Sequence, residues 1–271
     1  MRRGAWRAAH RRFEAELAAN PDDLMTQGQL ASAYARGGRY ADAVVLFDMA
    51  PFGSWYEDKG LLDHAHALRV LGRGEEAAEL RLSTRVTQSD REGMITLLSA
   101  VDDYLEAGRP ELAEELAQEA VGAFPSSPAT HAWLASAHAG LGRWDDAEAE
   151  LWLADLLGPP SARSLTLGAE LAMARGDLEE AGALLEDAVV LRPDSRVIMS
   201  LRAEVERRDG NCPAALNLIG KARFGFQEEP QAMAVEARCL AEMGYPEEAS
   251  DLLSNALALY PAHPWVLEAA Q

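Results

Sequence analysis

Seven glycines, Gly38, Gly72, Gly108, Gly142, Gly176, Gly210 and Gly244, are each followed five residues later by an alanine, at 43, 77, 113, 147, 181, 215 and 249. Five of the six intervals between those glycines are 34 residues and one, from Gly72 to Gly108, is 36. A period of this length running through most of 271 residues describes one small unit copied many times. Such units stack in a line, each burying its apolar face against its neighbours, so a single central core is excluded.

The residues around each glycine set the form of the unit. Before Gly72, Leu61, Ala65, Leu68 and Leu71 recur at spacings of three and four, the period of a helix. Glycine ends such a helix in the left-handed conformation, and the acids that follow, as in "DDA" and "LEEA", favour the start of the next one. Each unit therefore reads as helix, tight turn, helix. Alanine after the turn leaves little side chain where two helix axes must approach to ~8–10 Å. A second small position falls seven residues further on, at Ala50, Thr84, Ala120, Ala154, Ala188, Ala222 and Ala256. A third lies twelve before the first, at Ala31, Ala65, Val101, Ala135, Ala169, Ala203 and Ala237. Pro125, Pro159, Pro193 and Pro261 close four units, because proline cannot continue the helix behind it. An abundance of Ala and Leu over Val, Ile and Thr favours helix throughout. The stretch Gly72–Ala77 also spells G-x-G-x-x-A, a form of the dinucleotide fingerprint, but that motif needs a strand before it and here a helix precedes.

These residues together resemble the tetratricopeptide repeat, whose 34-residue pattern is clearest at Leu30, Ala31, Tyr34, Gly38, Tyr40, Ala43, Phe47 and Ala50. The resemblance implies an all-α, right-handed α-solenoid of about seven helix-turn-helix units, 24–57, 58–93, 94–127, 128–161, 162–195, 196–229 and 230–263. Residues 1–23 read as the second helix of a partial repeat, with Ala9, Phe13 and Pro21 in register, and 264–271 as the start of a truncated or capping helix. That last segment carries Val266, Leu267, Ala269 and Ala270, so its apolar side is expected to be covered by more chain or to drive self-association.

Departures from the pattern mark individual joints. Arg81 replaces the large apolar residue held by Phe47, Leu151, Leu185, Ile219 and Leu253 in other units. Arg202 and Glu206, four apart, likewise occupy apolar positions, either as a buried pair that satisfy each other or as a loosened, partly hydrated joint. Phe52, Trp55 and Tyr56 cluster in one loop, as a contact patch or as a plug over the joint.

In the family that the sequence resembles, the first helix of each unit lines the concave surface and partners bind there. The corresponding positions form an apolar ladder of Trp133, Leu167, Leu201 and Val235, flanked by Asp102, Glu170, Glu204 and Arg238. The expected ligand is a protein segment with apolar anchors and basic character; the competing reading is that the ladder seals the seams between first helices. The carboxylate clamp of one subset of the family is missing, since Gly28, Ser32 and Asp63 stand at its positions.

Charge and composition narrow the function further. A formal net charge of −19 opposes nucleic acid and anionic membranes. The charge is uneven: residues 1–20 carry +3 and the remainder −22. No apolar run approaches the ~18 residues of a membrane span. Cys212 and Cys239 form no C-x-x-C, and no cofactor or metal motif is present. His131 and His138 fall on packing positions, His64 and His66 on different faces, and the acid pairs converge on no third group, so no catalytic or metal site is assigned. The chain is thus expected to be a non-catalytic, cytoplasmic scaffold or adaptor, or a periplasmic one if a signal segment has been removed. A ratio of 23 arginines to 2 lysines points to a bacterial source and a bacterial assembly. The alternatives are the substrate-recruiting region of a larger enzyme and an assembly factor for a secretion or pilus system.

Overall fold

The structure, a computed structural model, describes residues 3–49, 60–83, 91–222, 230–261 and 263–271. Sixteen helices and no strand occur among them. Helix α1 (Arg3–Ala19) is followed by seven antiparallel pairs: α2 (Leu24–Gly37) with α3 (Tyr40–Met49), α4 (Leu61–Val70) with α5 (Gly74–Ser83), and α6 (Arg91–Glu106) with α7 (Pro110–Ala123). The series continues with α8 (Pro128–Gly140) and α9 (Trp144–Leu157), α10 (Ala162–Arg175) and α11 (Leu178–Leu191), then α12 (Arg196–Arg208) and α13 (Cys212–Ala222). It ends with α14 (Pro230–Glu242), α15 (Pro246–Leu259) and the short α16 (Pro264–Ala269). The fold is an all-α solenoid.

One turn geometry is repeated seven times and explains the five-residue spacing. All seven glycines lie at φ between 68° and 88°, the only positive φ values among the described residues. The residue after each glycine donates its N–H to a carbonyl five positions back, from Arg39 to Tyr34 through to Tyr245 to Leu240, at 2.8–2.9 Å. This closes the first helix in a Schellman-type cap. The carbonyl of that same residue then accepts from the alanine four further on, from Ala43 to Arg39 through to Ala249 to Tyr245, at 2.9–3.1 Å, and so begins the second helix. Because both bonds share one residue, the alanine can stand nowhere else relative to the glycine. None of the seven alanines is more than 4% exposed, and the third small position is equally buried, from Ala31 at 0% to Ala237 at 1%.

First helices of neighbouring pairs pack on one another at α2–α4, α6–α8, α8–α10, α10–α12 and α12–α14. The joint with the 36-residue interval differs, because there α6 packs chiefly on α5 and hardly on α4. At this joint Arg81 donates from Nε to Asp103 Oδ2 at 2.5 Å, and Arg69 Nε lies 3.7 Å from Asp103 Oδ1. Asp103 is 1% exposed. It occupies the register that Ala67, Ala137, Leu171, Val205 and Cys239 hold in other pairs, so a charge on one side of the joint is matched by a charge on the other. Burial pushes the Asp103 carboxyl up to about 6, with Arg81 and Arg69 pulling it back.

The two ends are finished differently. Helix α1 packs on α2, where His10 Nε2 lies 2.7 Å from the Ala33 carbonyl and the Tyr34 hydroxyl donates to Glu14 at 2.7 Å. The basic opening stretch is therefore a helix of the solenoid. Helix α16 packs on α14 and α15 and buries Val266 completely, together with Met233, Ala256 and Tyr260. Val70 of α4 joins this cluster. The expected apolar end is thus largely covered by the chain itself, with Leu267 left 42% exposed.

Candidate functional site: the inner cavity

Winding brings α16 back across the first helices and leaves an open cavity of about 630 Å³ lined by α6, α8, α10, α12 and α16. First helices supply its walls because the second helices stand outside them; only Trp144, at the start of α9, reaches in from that outer layer. Asp102, Glu106, Glu170, Glu204 and Glu268 face it, against Arg163 and Arg208. Carboxylates outnumber guanidiniums in the lining, five to two, although Arg69, Arg207 and Arg238 behind the wall pair with Asp102, Glu204 and Glu268.

Each acid is held differently. Asp102 accepts from Arg69 Nη1 at 2.6 Å. Glu204 is 1% exposed and accepts from Arg207 Nη2 and Arg208 Nε, both at 2.8 Å. Burial opposes its ionisation most strongly, yet the two guanidiniums outweigh it and keep the carboxyl below the usual range. Glu106 Oε2 lies 3.2 Å from Nε2 of His263, which is buried just before α16. Here too desolvation pushes the carboxyl up, and the histidine brings the balance below normal. Glu170 has no ion pair with a described residue. Its carboxyl is raised, first by burial and then by the charges of Glu106 and Asp102, with Arg163 working against them. Glu170 is the acid in this cavity whose charge the surroundings satisfy least.

The ladder read from the sequence does not line this surface as expected. Leu167, Leu201 and Val235 are 1%, 2% and 0% exposed and belong to three separate core clusters. They seal the seams between first helices, because at a close helix crossing the sixth residue of each unit points at its neighbour; only Leu201 also touches the cavity wall. Trp133 is half-buried beneath Arg163, whose guanidinium carbon stands 4.0 Å from the ring centroid. The polar residues of the same reading fare otherwise: Asp102, Glu170 and Glu204 all face the cavity, and Arg238 bridges Glu204 at 3.8 Å and Glu268 at 3.1 Å. Phe52, Trp55 and Tyr56 lie outside the described residues. Sequence reasoning missed Glu106, His263 and Trp265, which meet across the width of the superhelix and share no period.

The histidines singled out in the sequence are held by packing contacts. His131 packs between Glu150 at 2.7 Å and the Pro125 carbonyl at 3.0 Å, and His64 stacks on Phe47 at 4.8 Å. No group of His, Cys, Asp and Glu able to hold a metal occurs among the described residues. No helix there is long and apolar enough to cross a membrane.

Three family models, each described as tetratricopeptide repeat, match residues 1–57, 104–171 and 162–187. The chain belongs to the tetratricopeptide repeat family. Solved structures agree on the fold of this TPR protein. A tetratricopeptide repeat protein from Parabacteroides merdae is 15% identical, with a TM-score of 0.55 over 87% of this chain and 93% of that one. The APC/C hetero-tetramer Cut9–Hcn1 contains a chain 14% identical, with a TM-score of 0.58 over 93% of this chain and 50% of that one. A thermophilic TPR protein from Thermus thermophilus is 20% identical, with a TM-score of 0.51 over 74% of this chain and all of that one. No curated protein matches the TPR chain. Proteins of this fold are typically non-catalytic interaction scaffolds.

Proposed function

We propose that this chain is a non-catalytic adaptor within a bacterial protein assembly, and that its inner cavity receives a cationic segment of a protein partner. The observation that supports the reading is the lining, five carboxylates against two guanidiniums, in which Glu170 has no ion pair with a described residue. An arginine or lysine entering beside Glu170 would relieve the repulsion from Glu106 and Asp102 that now raises its carboxyl. Trp265 and Trp144, which both line the cavity, offer aromatic surface for the aliphatic stem of such a side chain. The segment named by the sequence, with apolar anchors and basic character, keeps its basic part here; its apolar anchors would not insert into the sealed seams.

Glu170→Arg places a fixed guanidinium where the partner's would sit. Crosslinking capture with the full chain and with this variant tests the reading. The expected result is loss of the captured partner with an unchanged melting curve. Capture that is as efficient with Glu170→Arg as with the native chain would refute it.

A further inference from the structure

The net negative charge is not spread evenly through the solenoid. Second helices α7, α9, α11 and α15 hold sixteen acids and no lysine or arginine, whereas first helices α8, α10, α12 and α14 hold seven arginines and five acids. The acidic layer is the one turned away from the inner cavity.

Within it, α9 and α11 also expose large apolar side chains. Trp152 is 64% exposed, and Leu156, one turn along, is 68% exposed. Val190 takes the register of Leu156 one repeat later and is 80% exposed, the most open large apolar residue among those described. Asp155 and Asp187 stand beside these residues in sequence, exposed, with no ion pair to any described residue.

Between α11 and α12 a cleft of about 440 Å³ continues the surface. It opens where Gly182 and Ala183 face Arg202 and Glu206, so small and charged residues leave unfilled a seam that other pairs close. Helix α12 turns Leu201, Glu204 and Arg208 to the inner cavity and Arg202, Glu206 and Asp209 to this cleft, so its own body separates the two spaces. Glu186 lies on the cleft wall one turn before Val190.

We propose that this outer face, from α9 across α11 into the cleft against α12, docks a cationic amphipathic helix of a protein partner. Charge complementarity selects the occupant: the apolar side chains would be covered by the apolar face of the helix, and its lysines and arginines would meet Asp155, Asp187 and the acidic cleft walls. Exposed apolar residues rimmed mainly by acids, with Arg202 as the one cation lining the cleft, are the arrangement expected of an interaction surface for a cationic partner. The site is separate from the inner cavity and does not depend on the reading given to that cavity.

A labelled helical peptide of about 18 residues, leucines on one face and lysines on the other, serves as the probe, with a permuted peptide of the same composition as control. Binding to the full chain is read by fluorescence anisotropy. The amphipathic peptide is expected to bind at least about tenfold more tightly than the permuted one. Trp152→Ser with Val190→Ser should weaken it about tenfold while the thermal melt stays unchanged, since both side chains are exposed. Glu170→Arg should leave it within about twofold. Equal binding of both peptides, no binding of either, or loss of binding on Glu170→Arg with none on the outer double change would each overturn the proposal.

Discussion

Two joints of this solenoid carry charged residues where the repeat calls for apolar ones, and they meet the problem in opposite ways. Between the second and third pairs, Arg81 and Asp103 come from different helices and meet at 2.5 Å, with the Asp103 side chain 1% and the Arg81 side chain 12% exposed. Between the fifth and sixth pairs, Arg202 and Glu206 come from the same helix, four residues apart, and face the same way. Arg202 there reaches Glu186 only at 3.7 Å, its side chain stays 29% exposed, and the joint remains open as a cleft. Opposite charges on the two sides of a seam can close it, whereas opposite charges along one side leave it open. The desolvation of a buried ion is repaid only by a close partner with good geometry.

That contrast can be broken by mutation, starting with the buried pair. Asp103→Ala removes the carboxylate that the largely buried Arg81 guanidinium meets across the seam and is expected to cost about 3 kcal/mol in urea unfolding. Replacing both members, Arg81→Leu with Asp103→Leu, should recover that loss or exceed it. If the single change proves harmless, the joint is not closed by the pair.

A smaller effect concerns acidity. The Asp103 carboxyl titrates at about 6 in the fold, against 3.8 for the ordinary group. The folded chain therefore holds this proton more firmly than the unfolded chain does. The contribution of this residue favours the fold on the acid side and is lost as pH rises through about 6. Carboxyl chemical shifts should show one aspartate with a midpoint near 6 that disappears in Asp103→Asn; a midpoint at or below the ordinary value would contradict the buried setting.

At the open joint the expected effect is least. Arg202→Ala removes a partly hydrated side chain and should change stability by no more than about 0.5 kcal/mol, as for other surface positions. A loss comparable to that of Asp103→Ala would mean that the cleft is a tightly packed seam.

These joints also mark the limit of what could be read without coordinates. Arg81 stood out as the wrong residue for its register, and comparing Asp103 with Ala67, Ala137 and Leu171 would have revealed its partner. The loosened joint at Arg202 and Glu206 was legible because both residues break the same local pattern. The candidate site was legible only in its polar members. Asp102, Glu170 and Glu204 were placed on the inner surface by their register, but the same register could not separate a side chain facing the cavity from one wedged in a seam. Leu167, Leu201 and Val235 therefore read as a ladder although they are packed away. His263 and Glu106 could not be paired at all, since 157 positions of chain separate them and only the pitch of the coil brings them together.

What the sequence determined by itself is the unit and its repetition. A left-handed glycine, a cap closed on the next residue and an alanine at the helix crossing are all local, so their spacing in the chain is their spacing in space. Only the tertiary structure decided how far the stack turns per unit, and hence that the segment before α16 returns to Glu106, that an open cavity lined by acids forms there, and that the outer layer keeps most of the negative charge. Those features sum small rotations over many joints, and each rotation is set by how whole side chains pack, which no single period in the sequence encodes.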